Sequence, residues 1–393
     1  MSAPATAATG TVVPGWEPVR DAFEANLASG REVGAAVAVY HHGLPVVELV
    51  GGSFDDSGAV PYSSDTLQLI FSTTKGLTAI AVALCAQRGL LDYRARVADY
   101  WPEFASSGKD AITVAQLLSH QAGLPAVDGP LTIDEVVDWD HMVRVLGEQA
   151  PLWEPGTGHG YHAVTFGWLA GELVRRVDPK GRSLGVFVAE EVAAPVGAEA
   201  WIGLPPEQDA RVSPLVSEPP STDPAIVAVM QQFMGPDTLA GRALFLNGAF
   251  SPGDPVWNSP DFHRAEIPAA NGISTAASLA RIYSACVDDV DGVRLLEPDT
   301  VRSASATATP DGEPDRVLVF PTTFGMGFMT SGPFTPMLGA GSFGHPGAGG
   351  SLAFAHPEAG IGFGYVMNRM DSTLNGDVRA LSLVQAVKTV LAT

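Results

Sequence analysis

Strand-like segments occur near both ends of this 393-residue chain, and helical patterns fill much of the region between them. Residues 32–52, EVGAAVAVYHHGLPVVELVGG, contain two β-prone runs joined by a turn with glycine and proline, which predicts a hairpin. Residues 324–367 alternate apolar and small residues around the turns GHPGAGG and HPEAG, which predicts antiparallel strands. We therefore predict an α+β fold with an antiparallel sheet that is flanked by helices and built from both termini, residues 1–95 and 266–393. Residues 96–265 are predicted to form a mostly helical inserted domain.

The helical patterns have recognisable starts and stops. One pattern follows Ser72 and stops at Gly89. The stretch 205–268 is rich in proline and has a helical patch only at 225–233, which is typical of a lid or a pocket wall. The other predicted helices cover residues 16–28, 113–124, 160–177, 275–287 and 376–391.

Charge and composition exclude several classes of protein. The net charge of −21 would repel a phosphate backbone or an anionic membrane, so we expect no nucleic-acid or membrane partner. The first twenty residues lack the basic and apolar regions of a signal peptide, so we expect a cytoplasmic location. Cys85 and Cys286 are expected to be free thiols. The paired His41 and His42 have no metal-ligand spacing, and we expect no metal and no cofactor. The oligomeric state stays open.

The segment 67–89, LQLIFSTTKGLTAIAVALCAQRG, places Lys75 between two apolar runs, where an unpaired ammonium is costly. Ser72 and Lys75 form an S-x-x-K pattern. Positions i and i+3 share one face of a helix, so the lysine amine can reach the serine hydroxyl and activate it as a nucleophile. This pattern predicts nucleophilic catalysis at Ser72.

Two other segments match nucleophile patterns. Residues 106–109, Ser-Ser-Gly-Lys, also fit S-x-x-K, but their polar context predicts a solvated loop. Residues 181–185, Gly-Arg-Ser-Leu-Gly, match the G-x-S-x-G elbow, which needs a buried strand before it. A helix end and a polar turn precede it here, so Ser183 is predicted to be a helix cap or a turn residue.

Five segments in order resemble the serine β-lactamase and penicillin-binding-protein superfamily, most closely its class C-like family VIII carboxylesterases, and they cover roughly half of the chain. The first, FSTTKGLTAIAVALCAQRGLLD, resembles the nucleophile helix. The second, TVAQLLSHQAGLP, resembles "LLSHTSGL", and the third, LWEPGTGHGYHAVTFGWLAGELV, resembles the segment that carries a Y-x-N motif. The last two, PAANGISTAASLARIYSA and FGHPGAGGSLAFAHPEAGIGFGYVMN, resemble "AGGLVSTARDLARF" and the strand turn that carries a K-T-G motif.

The resemblance implies roles for three side chains. Ser72 matches the acylated nucleophile, and Lys75 matches its activating partner. Tyr161 matches the tyrosine of Y-x-N, whose phenol shares a proton with the lysine and protonates the leaving alcohol. Which of Lys75 and Tyr161 holds that proton in the free enzyme stays open.

The resemblance also implies an oxyanion hole. His345 stands where β-lactamases have the lysine of K-T-G, and Gly347 matches the glycine of that motif. Ala348 follows, and its backbone amide is expected to join the amide of Ser72 at the substrate oxygen.

Two departures from the β-lactamase pattern favour an esterase. Ala163 replaces the amide residue of Y-x-N, and His345 replaces a permanently charged lysine. His120, within LLSHQAGL, is predicted to be a buried residue that fixes a turn. We therefore expect a serine carboxylesterase that acts on small short-acyl or aryl esters.

Other functions stay open on the sequence. A β-lactamase, a D-amino-acid peptidase or an acyltransferase uses the same acyl-enzyme, and a penicillin-binding or sensor-like module acylates slowly or only binds. The acyl length and the stereopreference are not predicted.

Overall fold

Ten strands form two antiparallel sheets in this computed structural model, which describes residues 7–217, 221–251, 253–310, 312–333, 335–371 and 376–393. Residues 1–6 of the predicted region 1–95 lie outside the described residues. So do residues 218–220 and 252 of the proline-rich stretch 205–268. The strands are β1 (Thr9–Val12), β2 (Gly34–His41), β3 (Leu44–Gly52), β4 (Gln68–Leu69), β5 (Ala200–Trp201), β6 (Ile273–Ser274), β7 (Met329–Thr330), β8 (Phe343–Pro346), β9 (Leu352–His356) and β10 (Ile361–Met367).

The larger sheet has seven strands in the order β1-β3-β2-β10-β9-β8-β7. Its N-terminal and C-terminal strands meet at the β2–β10 pair, where Val39 lies opposite Phe363. The predicted hairpin is β2–β3, and its two turn residues, His42 and Gly43, have positive φ angles of 48° and 78°. The predicted antiparallel sheet from both termini is confirmed.

The smaller sheet has three short strands in the order β4-β6-β5. Leu69 of β4 lies opposite Ile273 of β6, and the amide of Ile70 donates to the carbonyl of Gly272 at 2.9 Å. This pairing brings the segment before Ser72 beside the segment before β6.

Fourteen α-helices surround the sheets in the described part of the chain. The predicted helix after Ser72 is confirmed: it begins as a 3₁₀ turn, Phe71–Thr73, continues as α2 and ends before Gly89. The helices are α1 (Glu17–Ala28), α2 (Thr74–Gln87), α3 (Val97–Tyr100), α4 (Val114–Leu118), α5 (Ile133–Val137), α6 (Trp139–Glu148), α7 (Thr165–Val177), α8 (Leu184–Phe187), α9 (Pro224–Met234), α10 (Leu239–Leu244), α11 (Pro260–Arg264), α12 (Ala276–Val287), α13 (Pro298–Ser305) and α14 (Val378–Leu391).

Two predicted helices are shorter than expected. Helix α4 ends before His120, whose φ of 63° is left-handed. Helix α7 begins only at Thr165, so the prediction of a helix from residue 160 was wrong. The amides of Gly160 and Tyr161 donate to the carbonyl of His120 and to the carboxylate of Asp315, which holds this segment outside the helix.

Helix α12 packs closely on the larger sheet because β10 carries glycines on the facing side. A Cβ atom on Gly362 would lie 2.3 Å from the carbonyl oxygen of Ala280, and one on Gly364 would lie 2.3 Å from that of Ala276. Both positions therefore require glycine. Cys286 on α12 and Cys85 on α2 are free and buried, as predicted.

Helices α3–α11 lie between residues 96 and 265, where the sole strand among the described residues is β5. The division of the chain into two domains at these positions stays a prediction. No helix in the described ranges has both the length and the apolar character that crossing a bilayer requires.

Asn368, directly after β10, joins three segments of the chain. Its Oδ1 accepts from the amide of Gly34 at 2.8 Å, and its Nδ2 donates to the carbonyls of Ser53 and Phe54 at 3.0 and 3.1 Å and to Ser213 Oγ at 3.0 Å. Its side chain is fully buried, so these hydrogen bonds are shielded from water, although the Phe54 carbonyl also accepts from the hydroxyl of Ser213.

Replacing Asn368 with Ala should lower the free energy of unfolding by roughly 2–4 kcal/mol, because buried donors and acceptors are left without partners. Urea denaturation followed by circular dichroism measures the change. Gln385→Ala, which removes an exposed amide on α14, is the control and should change it by less than about 0.5 kcal/mol. Equal effects of the two substitutions would contradict the role of Asn368.

Candidate active site

Ser72 lies in the 3₁₀ turn between β4 and α2. Phe71, the residue before it, has a φ of 42°, a left-handed conformation that is rare for a bulky side chain. The ring of Phe71 packs edge-on against Trp257, with 4.9 Å between the ring centroids. This strained turn presents Ser72 to a cavity.

Lys75 is fully buried one helical turn after Ser72. Its Nζ lies 3.0 Å from Ser72 Oγ, 2.6 Å from the carbonyl oxygen of Ala163 and 2.9 Å from the carbonyl oxygen of Ala269. The β4–β6 pairing explains the contact with Ala269, and the irregular segment before α7 supplies Ala163. The amine thus joins three separate segments.

Burial lowers the pKa of the Lys75 amine well below its ordinary value. None of the ion pairs in the described part of the chain involves this amine, so no carboxylate offsets its lost hydration. The first turn of α2 adds a positive partial charge beside it, which also disfavours an ammonium.

Tyr161 lies beside this pair, with Lys75 Nζ 4.8 Å from the centroid of its ring. Burial raises the pKa of its phenol above the ordinary value, although a hydrogen bond with Ser72 opposes the shift. Tyr161 therefore keeps its proton near neutral pH. Its backbone amide donates at 3.0 Å to Asp315, a buried carboxylate that also accepts from the hydroxyl of Thr322 at 2.8 Å.

His120 holds the Tyr161 segment from the other side. Its Nδ1 accepts from the amide of His162 at 3.0 Å, and its carbonyl accepts from the amide of Gly160 at 3.0 Å. The side chain is fully buried, and its ring centroid lies 5.4 Å from that of Tyr161. The prediction of a buried residue that fixes a turn is confirmed.

His345 comes from β8, and its ring stacks on Tyr161 with 5.8 Å between the centroids. Its Nδ1 lies 2.7 Å from the carbonyl oxygen of Pro346, so Nδ1 carries the proton and Nε2 is a bare acceptor. Burial, with the nearby Lys75, lowers the pKa of His345 to about 3. The ring is therefore neutral at physiological pH.

Gly347 and Ala348 follow on the loop after β8. A Cβ atom on Gly347 would lie 2.1 Å from Ser351 Oγ and 2.3 Å from the carbonyl oxygen of Ile70, so a glycine is required at this contact. Ala348 and Ser72 line the same cavity. Among the described residues, neither of their backbone amides has an acceptor. Two free amides at one cavity can bind a developing oxyanion.

The cavity has a volume of about 120 Å³ and is walled mainly by apolar side chains. Ser72, Tyr161, His345, Gly347 and Ala348 all line it, whereas Lys75 lies behind Ser72. Among the lining side chains that the structure describes, Asp377 alone carries a charge, and it is paired with Arg379. Apolar side chains in the wall include Leu244, Leu318, Met329, Leu352, Ala380 and Leu381.

The second S-x-x-K pattern lies in a turn in which Ser106, Ser107 and Gly108 are exposed, as predicted, but the side chain of Lys109 is buried, which was not predicted. Lys109 is fully buried, and its Nζ donates to the carbonyls of Gly147 at 3.0 Å and Gln149 at 2.5 Å, at the end of α6. Ser106 Oγ donates to the same Gly147 carbonyl at 2.6 Å. The pattern therefore caps a helix.

Ser183 caps α8, as predicted: its Oγ accepts from the amide of Val186 at 3.3 Å and donates to Glu266 at 2.6 Å. No sequence pattern predicts the roles of the Ala163 and Ala269 carbonyls or of Asp315, because backbone acceptors have no residue signature and Asp315 lies in a loop without a motif.

Known proteins are similar to this chain over most of its length. The β-lactamase family profile matches residues 19–388. The chain belongs to the β-lactamase family. It is 36% identical over 375 residues to an esterase/β-lactamase, LipL, of Mycobacterium tuberculosis, covering 93% of this chain and 84% of LipL.

Two solved structures are similar to this chain over nearly their whole length. A family VIII carboxylesterase has 37% identity and a TM-score of 0.86, covering 98% of this chain and 99% of its own. A penicillin-binding protein homologue from Caulobacter crescentus has 38% identity and a TM-score of 0.84, with the same coverage. The predicted family and fold are confirmed, and the chain is a serine hydrolase with carboxylesterases among its relatives.

The pH dependence of hydrolysis should identify the base. If Lys75 acts as the free amine, kcat/KM rises with pH as this amine, whose pKa is lowered, loses its proton. His345, with a pKa near 3, is already neutral over that range. The rise of kcat/KM with pH should therefore persist in His345→Gln, with the same midpoint. If this variant lost the rise, the titrating base would be His345 and not Lys75.

Proposed function

We propose that this protein is a serine carboxylesterase that hydrolyses small, uncharged short-acyl or aryl esters through an acyl-enzyme on Ser72. In this proposal Lys75 is the base, Tyr161 is the acid, and the amides of Ser72 and Ala348 form the oxyanion hole. A cytoplasmic location stays a prediction.

The hydrogen bonds of Lys75 carry this proposal. A neutral amine has two hydrogens and one lone pair. The carbonyls of Ala163 and Ala269 accept the two hydrogens, which leaves the lone pair to accept the hydroxyl hydrogen of Ser72, whose Oγ lies 3.0 Å from Nζ. An ammonium in the same place would have no acceptor of negative charge, so the geometry favours the base form.

Acylation follows from this arrangement. Lys75 takes the hydroxyl proton of Ser72 while Oγ attacks the ester carbonyl carbon, and the carbonyl oxygen becomes an oxyanion at the two amides. The C–O bond to the alcohol then breaks. The phenol of Tyr161 gives its proton to the leaving alkoxide and recovers one from Lys75. The products of this step are the free alcohol and an acyl ester on Ser72.

Deacylation reverses the sequence with water as the nucleophile. The same base takes a proton from water while the water oxygen attacks the acyl carbon at the same oxyanion hole. The Ser72 Oγ–acyl bond breaks, and Oγ regains a proton. The carboxylic acid leaves and the free enzyme is restored.

The cavity favours small and neutral substrates. Its volume of about 120 Å³ is below the roughly 300–1,000 Å³ of sites for drug-sized ligands. A β-lactam or a peptide C-terminus carries a carboxylate, and the described wall offers no cation to pair with it. His345, in the position of the β-lactamase lysine, is neutral.

Replacing Ser72 with Ala should lower the turnover of 4-nitrophenyl acetate by at least about 10³-fold, because the acyl-enzyme cannot form. Ser183→Ala is the matched control and should keep most of the wild-type rate. Mass spectrometry of the wild-type protein trapped with a slow ester should place the acyl group on Ser72. Full activity of Ser72→Ala would overturn the proposal, and loss on replacing Ser183 alone would favour the elbow.

A substrate panel tests size and charge together. Rates on 4-nitrophenyl esters should fall by about 10-fold or more from butyrate to octanoate, and 4-nitrophenyl succinate should react about 10-fold more slowly than the neutral valerate of similar length. A chromogenic cephalosporin in the same panel should be turned over more slowly than the acetate ester. Faster cephalosporin turnover would favour a β-lactamase, and a stoichiometric burst without turnover would favour a sensor module.

A further inference from the structure

The loop that carries Ala348 is hydrogen-bonded to the turn that carries Ser72 through one side chain, Ser351. Ser351 Oγ lies 2.9 Å from the carbonyl oxygen of Ile70 and 3.0 Å from the hydroxyl of Thr73. Ile70 and Thr73 stand on either side of Ser72. In the described part of the chain, these are the hydrogen bonds that join the loop 346–351 to the turn 70–73.

The direction of these hydrogen bonds follows from their partners. A carbonyl oxygen only accepts, so the hydroxyl of Ser351 donates to Ile70. The hydroxyl of Thr73 then donates to Ser351 Oγ. Ser351 and Thr73 are both buried, with relative exposures of 1% and 0%, so water does not compete for either bond.

Ser351 is also tied to the loop itself. Its carbonyl accepts from the amide of Gly347 at 2.7 Å, which closes the turn around Ala348. The absent side chain of Gly347 lets this turn lie directly against the Ile70 carbonyl. A displacement of Ser351 relative to Ile70 therefore moves the Ala348 amide relative to Ser72.

The far side of the loop has an anchor that does not involve the Ser72 turn. The buried guanidinium of Arg379 donates to the carbonyl of Gly349 at 2.6 Å and pairs with Asp377 and Glu32. This network fixes the loop to the start of α14. The position of the loop relative to the Ser72 turn depends on the hydrogen bonds of Ser351 to Ile70 and Thr73.

We propose that Ser351, with Thr73 as its donor, is a positioning residue that sets the separation of the Ser72 and Ala348 amides. This inference rests on the proposed function, because it assigns those two amides to the oxyanion. It predicts that the hydroxyl of Ser351 acts on the transition state and has little effect on ground-state binding.

The first test is Ser351→Ala assayed with 4-nitrophenyl acetate. We expect kcat to fall by about 10- to 100-fold, as a misplaced oxyanion donor does, while KM stays within about 2-fold. A trifluoromethyl ketone, whose adduct with Ser72 carries the oxyanion, should bind more weakly by the same factor as kcat/KM falls. An uncleaved ether analogue of the substrate should keep its affinity.

Substitutions at Thr73 separate positioning from general loosening of the core. Thr73→Val removes the donor but keeps the shape, and kcat should fall by about 3- to 10-fold. Thr73→Ser restores the hydroxyl and should restore the rate. Ser342→Ala is the matched control, because Ser342 is a fully buried serine whose Oγ lies 3.0 Å from His356 Nδ1, away from the turn. It should leave kcat unchanged.

The outcomes distinguish the two proposals. If Ser72→Ala is inactive and Ser351→Ala keeps wild-type kcat and ketone affinity, the positioning role is wrong and the esterase site stands. The positioning role is also wrong if Ser351→Ala raises KM and weakens binding of the ether analogue by the same factor as it lowers kcat/KM. Full activity of Ser72→Ala overturns the proposed function and this inference together.

Discussion

An amine held in the interior without a carboxylate partner is the constraint on which the rest of this site depends. Lys75 is stabilised by the carbonyls of Ala163 and Ala269, which come from the segment before α7 and the segment before β6. These two segments and α2 must therefore meet at one point. The meeting point is where the short sheet and the inserted helices pack together, so the fold and the site share one set of contacts.

The two buried lysines lie at opposite ends of helices, and we assign catalysis to Lys75 alone on this ground. Both bind two backbone carbonyls, but Lys109 lies at the end of α6, where the helix dipole favours a cation, and its serine gives its proton to the Gly147 carbonyl. Lys75 lies at the start of α2, where the dipole favours a free amine, and Ser72 faces its Nζ. Burial lowers the pKa of both amines, that of Lys109 to about 8, but the helix ends beside them act on the two amines in opposite directions.

The sequence predicted those parts of the structure that have a local pattern. The hairpin β2–β3 and helix α2 follow from periodicity, and an ordered set of motifs brought together the five residues that line one cavity with Lys75 behind them. The sequence did not predict features that depend on residues distant in the chain. The burial of Lys109 depends on carbonyls at the end of α6, and the late start of α7 depends on Asp315. Neither partner has a signature near the residue it affects.

His345 is neutral and stands where the resemblance to β-lactamases implies a lysine, so in the proposed mechanism no cation at this position helps to stabilise the oxyanion. A cation acts over several ångströms and tolerates a shift in position, because its energy falls only slowly with distance. A backbone amide acts through a directed hydrogen bond that weakens within a few tenths of an ångström and with angle. In the proposed mechanism, the charge that develops on the substrate oxygen is met by the amides of Ser72 and Ala348. Such a site depends on the exact positions of the two backbone amides. The hydrogen bonds of Ser351 and Arg379, on the two sides of the loop, fix the position of the Ala348 amide.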